Sequence, residues 1–245
     1  MNCTLIIRCV FFATLLSSMI LVAAYAQKKF QEDVFKTSGG DVKITFIGHG
    51  TLMFAYAGKV VHVDPWSMLA DYATLPKADL ILVTHEHGDH LDIKAIQTAS
   101  TADATVIVNP NSAKMFPTST VMKNGDTKTV AGIKIEAIPA YNLEKAFHPK
   151  GSGNGYILTF GDKRILIAGD TENTPELKGI KNIDAAFLPM NLPYTMTPEQ
   201  VADVAKAMKP KVLYPYHYGD QTDPTKLTDL LKNEKGIEVR IRDLK

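Results

Sequence analysis

An α+β chain, built on sheets with helices outside them, is predicted by three features of this sequence. Short apolar runs of strand length recur from Val42 to Tyr214. They dominate the first half, while strand–helix alternation takes over later, a mixture that argues against a purely parallel sheet. Turn signals at Ala57-Gly58 and Gly161-Asp162 place a hairpin in each half.

The first 26 residues read as a leader rather than as part of the fold. Arg8 is their one charged residue, Val10 to Ala24 is uncharged, and Ala24-Tyr25-Ala26 supplies the small-x-small pattern of a secretory signal cleaved after Ala26. An uncleaved membrane anchor is the alternative, because the apolar stretch approaches the roughly 20 residues that span a bilayer. No Cys follows the run, which disfavours a lipid anchor. The expectation is an exported protein, periplasmic or secreted, with no stable membrane anchor once the signal is removed.

Cys3 and Cys9 both lie in that leader, so residues 27–245, a mature chain of 219 residues, carry no thiol. That length supports one domain without disulfides. It also excludes thiolate zinc sites and a cysteine nucleophile. Loss of Arg8 leaves 26 basic against 26 acidic residues. Nothing in that balance favours a nucleic-acid partner, which would need clustered positive charge.

Along the mature chain, 27–36 is a polar lead-in and Gly39-Gly40 punctuates the start of folded structure. Strands are expected at 42–47, 52–57, 60–63, 80–83, 105–108, 133–138, 156–160, 164–168, 185–188 and 212–214. One helix begins at 91–96. Another follows Thr197, which fits the N-cap, with Pro198 at the first helical position, Gln200 as the capping-box partner, and Val201, Val204, Ala205 and Met208 on one face. A weak internal echo pairs the hairpin at 54–63, ending at Asp64, with that at 158–168, ending near Asp170. No linker or low-complexity tract interrupts the chain, which is read as a single domain.

The chemistry is concentrated in Thr84-His85-Glu86-His87-Gly88-Asp89-His90, directly after the apolar strand Leu80-Val83. A loop at a strand end presents several imidazole and carboxylate ligand atoms to one point. Three of the seven histidines of the chain fall in this loop, which makes a merely solvated turn a poor reading.

His-x-His-x-Asp-His after a hydrophobic strand resembles the second motif of the metallo-β-lactamase superfamily. Val63-Asp64-Pro65-Trp66 is similar to its first motif, Ala168-Gly169-Asp170-Thr171 to its fourth and Pro215-Tyr216-His217-Tyr218 to its fifth. The wording Phe-Ile-Gly-His-Gly, Gly-Asp-Thr and Pro-Tyr-His-Tyr is most similar to the branch containing ascorbate-6-phosphate lactonase. The resemblance implies a four-layer αββα sandwich with metals at one edge. It implies two divalent ions, zinc first, with manganese or iron also suited to the ligands. One ion would take His85, His87 and a third histidine, the other Asp89, His90 and His217, with Asp170 bridging.

Asp170 also reads as a bridge on its own terms: it follows a strand and a glycine that permits close backbone approach, and an anion there lowers repulsion between two cations. The third histidine is His148, since His49 and His62 precede the main loop; Asn142 is the alternative as an oxygen ligand. Asp64 fits a carboxylate that accepts an imidazole N–H, or else an Asp-Pro turn starter. His49 lines the pocket or serves a turn, and His62 is a structural strand residue. Tyr194 is the candidate phenol for a substrate oxyanion. The run 151–155 lacks a P-loop ending and reads as a loop bordering the site.

The expected activity is hydrolysis of an ester or lactone-type small molecule by a metal-bridged hydroxide, with Asp89 orienting it and accepting its proton. A phosphodiesterase acting on a phospholipid or nucleotide-like diester is the alternative, and a non-catalytic metal-binding module a third. β-Lactam cleavage is disfavoured, because Asp stands where the commonest such enzymes carry Cys. The leader predicts that protein recovered from an exporting host begins at Gln27 by intact mass; a full-length chain held in the membrane contradicts this.

Overall fold

The computed structural model describes residues 29–245. The leader, its cleavage site and both cysteines lie outside the described residues. The first half comprises β1 (Gln31–Thr37), β2 (Gly40–Gly48), β3 (Thr51–Tyr56), β4 (Lys59–Val63), β5 (Ala78–Leu82), α1 (Ile93–Ala99), β6 (Ser100–Val108), α2 (Ser112–Met115) and β7 (Thr120–Val121). The second comprises β8 (Thr127–Val130), β9 (Ile133–Ala140), β10 (Gly153–Phe160), β11 (Lys163–Ile167), α3 (Pro175–Gly179), β12 (Ala185–Met190), α4 (Pro198–Met208), β13 (Val212–Tyr218), α5 (Lys226–Leu230) and β14 (Glu238–Val239).

Each half forms one seven-stranded sheet, ordered β1 to β7 in one and β14 to β8 in the other. β1 to β4 pair antiparallel and β4 to β7 parallel. The second sheet repeats this, with β8 to β11 antiparallel and β11 to β14 parallel. The weak sequence echo is therefore the trace of a repeated topology, and Asp64 and Asp170 follow corresponding strands, β4 and β11.

The two sheets bury their inner faces against each other. Phe46 on β2 meets Phe187 on β12 and Tyr214 on β13 at ring-centroid distances of 6.2 and 5.3 Å, and Phe54 stacks on Phe160 at 5.5 Å. From Leu80 onward β5 is buried on both faces, which is why 80–83 reads as an unbroken apolar run. Its outer side takes α1 through Ile81, Val83, Ala95, Ile96 and Ala99. α4 covers the opposite outer face, started by the expected capping box between Thr197 and Gln200 and burying Val201, Val204, Ala205 and Met208. The result is the four-layer αββα sandwich.

Three local expectations are corrected. The polar lead-in is largely β1, an edge strand, and Gly39-Gly40 forms the turn of its hairpin with β2 rather than the start of the fold. Its inward position is held by charge: Asp33 accepts hydrogen bonds from Tyr214, Arg240 and Arg242. The glycine run is not wholly a loop, because β10 begins at Gly153 and pairs with β9.

Burial opposes the ionised Asp33, but Tyr214 and Arg242 outweigh it and hold the carboxyl below its ordinary range. The stabilisation is thus fully present above the unfolded carboxyl pKa of about 4 and is lost as pH falls below it. Asp33→Ala is expected to cost about 2 kcal/mol in denaturant unfolding at neutral pH, with the gap from the parent narrowing in acid. Equal stability at neutral pH would show that this edge is held by its backbone ladder alone.

Candidate metal centre

The loop after β5 turns tightly, with the His87 carbonyl accepting from the N–H groups of His90 and Leu91 at 2.9 and 2.7 Å. Asp92 then caps α1 by accepting from the Ala95 N–H at 3.0 Å. This short path leaves His85, His87, Asp89 and His90 around one end of the sandwich. Corresponding strand ends of the second sheet supply Asp170 after β11 and His217 in β13, while His148 comes from the connection between β9 and β10. The site thus sits at the carboxyl ends of parallel strands from both repeats, where loops are free to carry chemistry.

Two clusters form there. His87 Nδ1 lies 3.0 Å from His85 Nε2 and 3.2 Å from His148 Nε2. His90 Nε2 and His217 Nε2 are 3.0 Å apart, with Asp89 Oδ2 3.6 and 3.7 Å from them. Asp170 stands between the clusters. Its Oδ2 is 3.3 Å from His148 Nε2, and its Oδ1 is 3.7 Å from His90 Nε2 and 3.5 Å from His217 Nε2. That Oδ1 is buried and accepts no hydrogen bond.

These donors fit cations. A buried carboxylate oxygen without a partner is costly, and imidazole nitrogens converge on it from both sides. Three His/Asp groups, His85-His87-His148 and His85-His90-Asp170, which share His85, and His49-Asp89-His217, each bring their ligand atoms within 4.8 Å of one another.

Surrounding hydrogen bonds aim the rings. Asp64, fully buried, accepts from the Thr84 N–H and hydroxyl at 2.7 Å each and from His90 Nδ1 at 2.8 Å. With its proton on Nδ1, His90 turns the Nε2 lone pair to the cluster. Thr84 Oγ1 also lies 3.0 Å from His85 Nδ1, so its hydroxyl relays the same orientation to His85. The Asn191 carboxamide reaches His217 Nδ1 at 3.2 Å. Gly50 makes room for two of these rings, since a Cβ there would lie 2.9 Å from His90 Cε1 and 3.3 Å from His217 Cδ2.

Electrostatics keep the carboxylates charged. Burial would raise Asp170, but His217, His90, His85 and His148 drive it well below the usual carboxylate range. Asp89 is likewise held low against burial, by His217 and His49. Burial works against a charged His90, yet Asp170, Asp64 and Asp89 together push it up to about 9. Burial lowers His85 and His148. Backbone strain collects here too: His49, Asp64, His148 and His217 all adopt left-handed conformations, with φ of 50, 45, 54 and 49°.

Every histidine except His62 is drawn into this centre; His62 is buried in β4 with Nε2 3.0 Å from the Pro76 carbonyl, a structural residue. His49 lines the cleft 3.2 Å from Asp89 and packs on His217 at 3.7 Å. The Asn142 amide nitrogen donates to the Phe147 and Tyr194 carbonyls at 2.8 and 2.7 Å, clipping the loop that carries His148. Glu172 was not foreseen. It accepts from the Leu143 and Glu144 N–H groups at 2.8 and 2.9 Å and pairs with Lys145, holding the same loop. Trp66, Phe147 and Asn191 also line the cleft beyond the expected residues. Trp66 had a signal, its place beside the Asp64 motif; the others had none.

A family model described as the beta-lactamase superfamily domain matches residues 43–217, from β2 through the last clustered histidine. The chain belongs to the metallo-β-lactamase superfamily. Within it, this hydrolase is 32% identical to a UPF0173 metal-dependent hydrolase of Thermococcus kodakarensis, over 72% of this chain and 84% of the relative. It is 29% identical to another of that name from Pelotomaculum thermopropionicum, over 82% of this chain and 96% of the relative. A solved structure of a candidate metal-dependent hydrolase from Parabacteroides distasonis is 55% identical, covers 89% of this chain and 100% of its own, and superposes with a TM-score of 0.86. The chain is thus a metal-dependent hydrolase of the UPF0173 group.

Asp64→Asn is expected to fold yet bind metal about 10–100-fold more weakly in competition with a chromogenic chelator, because His90 loses the carboxylate that fixes its tautomer. Unchanged affinity would mean that Asp64 serves only the Thr84 turn.

Proposed function

We propose that this hydrolase holds two divalent ions, zinc by preference of its donors, and cleaves a carboxylic ester or lactone of a small molecule. The observation that carries the reading is Asp170, whose two oxygens face two separate imidazole clusters. One site comprises His85, His87 and His148, the other Asp89, His90 and His217, with Asp170 shared. His148 is preferred to Asn142 because its Nε2 faces His87 and Asp170, while Asn142, although its Oδ1 is buried without a hydrogen-bond partner, is not among the residues lining the cleft and turns its amide nitrogen to main-chain carbonyls. Manganese and iron suit the same ligands.

When bound, the ions supply a water acidic enough to ionise near neutral pH and a Lewis acid for the scissile carbonyl. Asp89 is the part-exposed carboxylate of the cleft and takes the proton of the attacking water. His49, hydrogen-bonded to its Oδ2, holds that carboxylate in place. The water oxygen bonds to the carbonyl carbon, the ester C–O bond breaks, and the departing alkoxide recovers a proton, giving a carboxylate and an alcohol. Tyr194, exposed on the rim, directs its phenol to the substrate oxygen that gains charge. The resemblance of the Gly-His-Gly, Gly-Asp-Thr and Pro-Tyr-His-Tyr wording to lactonase relatives supports the ester or lactone choice. The leader pattern supports action in the periplasm or outside the cell.

Elemental analysis and turnover together test this reading. The parent is expected to carry two metals per chain and to hydrolyse esters or lactones faster than bis(p-nitrophenyl) phosphate. His148→Ala should fall towards one metal and lose at least about a hundredfold in turnover, since activation by one of two cations is removed. Asp170→Ala should lose most activity and weaken both sites while keeping the fold. Two retained metals in His148→Ala, or a preference for the diester, would overturn the assignment.

A further inference from the structure

The cleft over the metal centre, about 460 Å³, carries three aromatic side chains beside its imidazole and carboxylate groups, and no Lys or Arg is among the described residues that line it. Trp66 stands on one side, 5.4 Å from His49 by ring centroid. Beside His148, at 6.4 Å from its ring, Phe147 meets Tyr194 edge to face at 4.9 Å, and both remain exposed, 44% and 41%. Their loops are not loose: Asn142 ties the Phe147 carbonyl to that of Tyr194, and Glu172 fixes the segment before them. The two lysines of the same loop pair with carboxylates, Lys145 with Glu172 and Lys150 with Glu176, and neither lines the cleft.

An exposed aromatic pair held rigidly at a catalytic mouth gains by being covered with apolar ligand surface. A phosphate or carboxylate seated against the aromatic pair would find no Lys or Arg among the described residues lining the cleft and would give up part of its hydration to ring surface. Resting on the ester or lactone reading above, we propose that the substrate carries an uncharged alkyl or aryl group, seated between Trp66 and the Phe147–Tyr194 pair, and no phosphate. Trp66 and Phe147 are then specificity-determining residues. Each methylene added to the substrate is expected to raise kcat/KM about fourfold until the cleft is filled, the factor that corresponds to burial of one CH₂.

Trp66 is the sole tryptophan of the chain, so its fluorescence reports binding independently of turnover. The metal-loaded full chain would be titrated with acetohydroxamate, octanohydroxamate and a hydroxamate of similar length ending in a phosphate, and assayed on p-nitrophenyl acetate and octanoate. Octanohydroxamate is expected to bind at least about tenfold tighter than acetohydroxamate, with the phosphate-ended probe weaker than the octanoyl one. Phe147→Ala should keep the metal content and reduce the octanoyl-to-acetyl ratio in both binding and turnover. Affinity independent of tail length, or tighter binding of the phosphate-ended probe, would overturn the inference. Tail-dependent binding without turnover of any ester would support the apolar cleft while overturning the ester reading on which it was built.

Discussion

A carboxylate at position 170 is buried where it finds imidazole rings on two sides and no hydrogen-bond donor for one of its oxygens, and the rest of the site is arranged around that charge. Leaving such a group uncompensated would cost several kcal/mol. Among the described residues no lysine or arginine pairs with it. The chain surrounds it with imidazole nitrogens whose far sides are tied down by Asp64, Thr84 and Asn191, an arrangement that suits cations much better than it suits an apolar core. The left-handed backbone at His49, Asp64, His148 and His217 is a further cost accepted at the same place.

The repeated topology explains how two sheets deliver these groups to one point. Each sheet runs four antiparallel strands into three parallel ones, and when the inner faces pack, the carboxyl ends of the parallel strands meet at one edge. One repeat places the His-rich loop and Asp64 there, the other Asp170 and His217. The aromatic contacts of Phe46 with Phe187 and Tyr214 fix the sheets against sliding, which keeps distances of a few ångströms constant across the seam. The catalytic geometry is thus a consequence of sheet packing, and the loops between β9 and β10 and after β12 are left to shape the opening.

Much of this was legible in the sequence because it is local. The buried stretches of central strands, 80–83 and 185–188, are apolar throughout, the Thr197 cap and its helix are written within a dozen residues, and the ligand-rich loop packs its signal into seven. The hairpin echo was faint because only the order of pairing repeats, not the side chains. What stayed hidden depends on distant partners. β1 is polar because its inward carboxylate, Asp33, is satisfied by Arg240 and Arg242 from the far end of the chain. Glu172 and Asn142 act on main-chain groups of a loop, and main-chain partners leave no pattern in side-chain identity. Phe147 reads as any surface aromatic until the loop is folded over the cleft.

Everything proposed for this site depends on Asp170 serving as a carboxylate shared by two cations. Anomalous diffraction from crystals of the metal-loaded protein measures this directly. Two peaks are predicted, one beside His85, His87 and His148 and one beside Asp89, His90 and His217, with an Asp170 oxygen about 2.0–2.2 Å from each if the metal is zinc. A single peak, or two peaks with Asp170 bonded to neither or to only one, would contradict it.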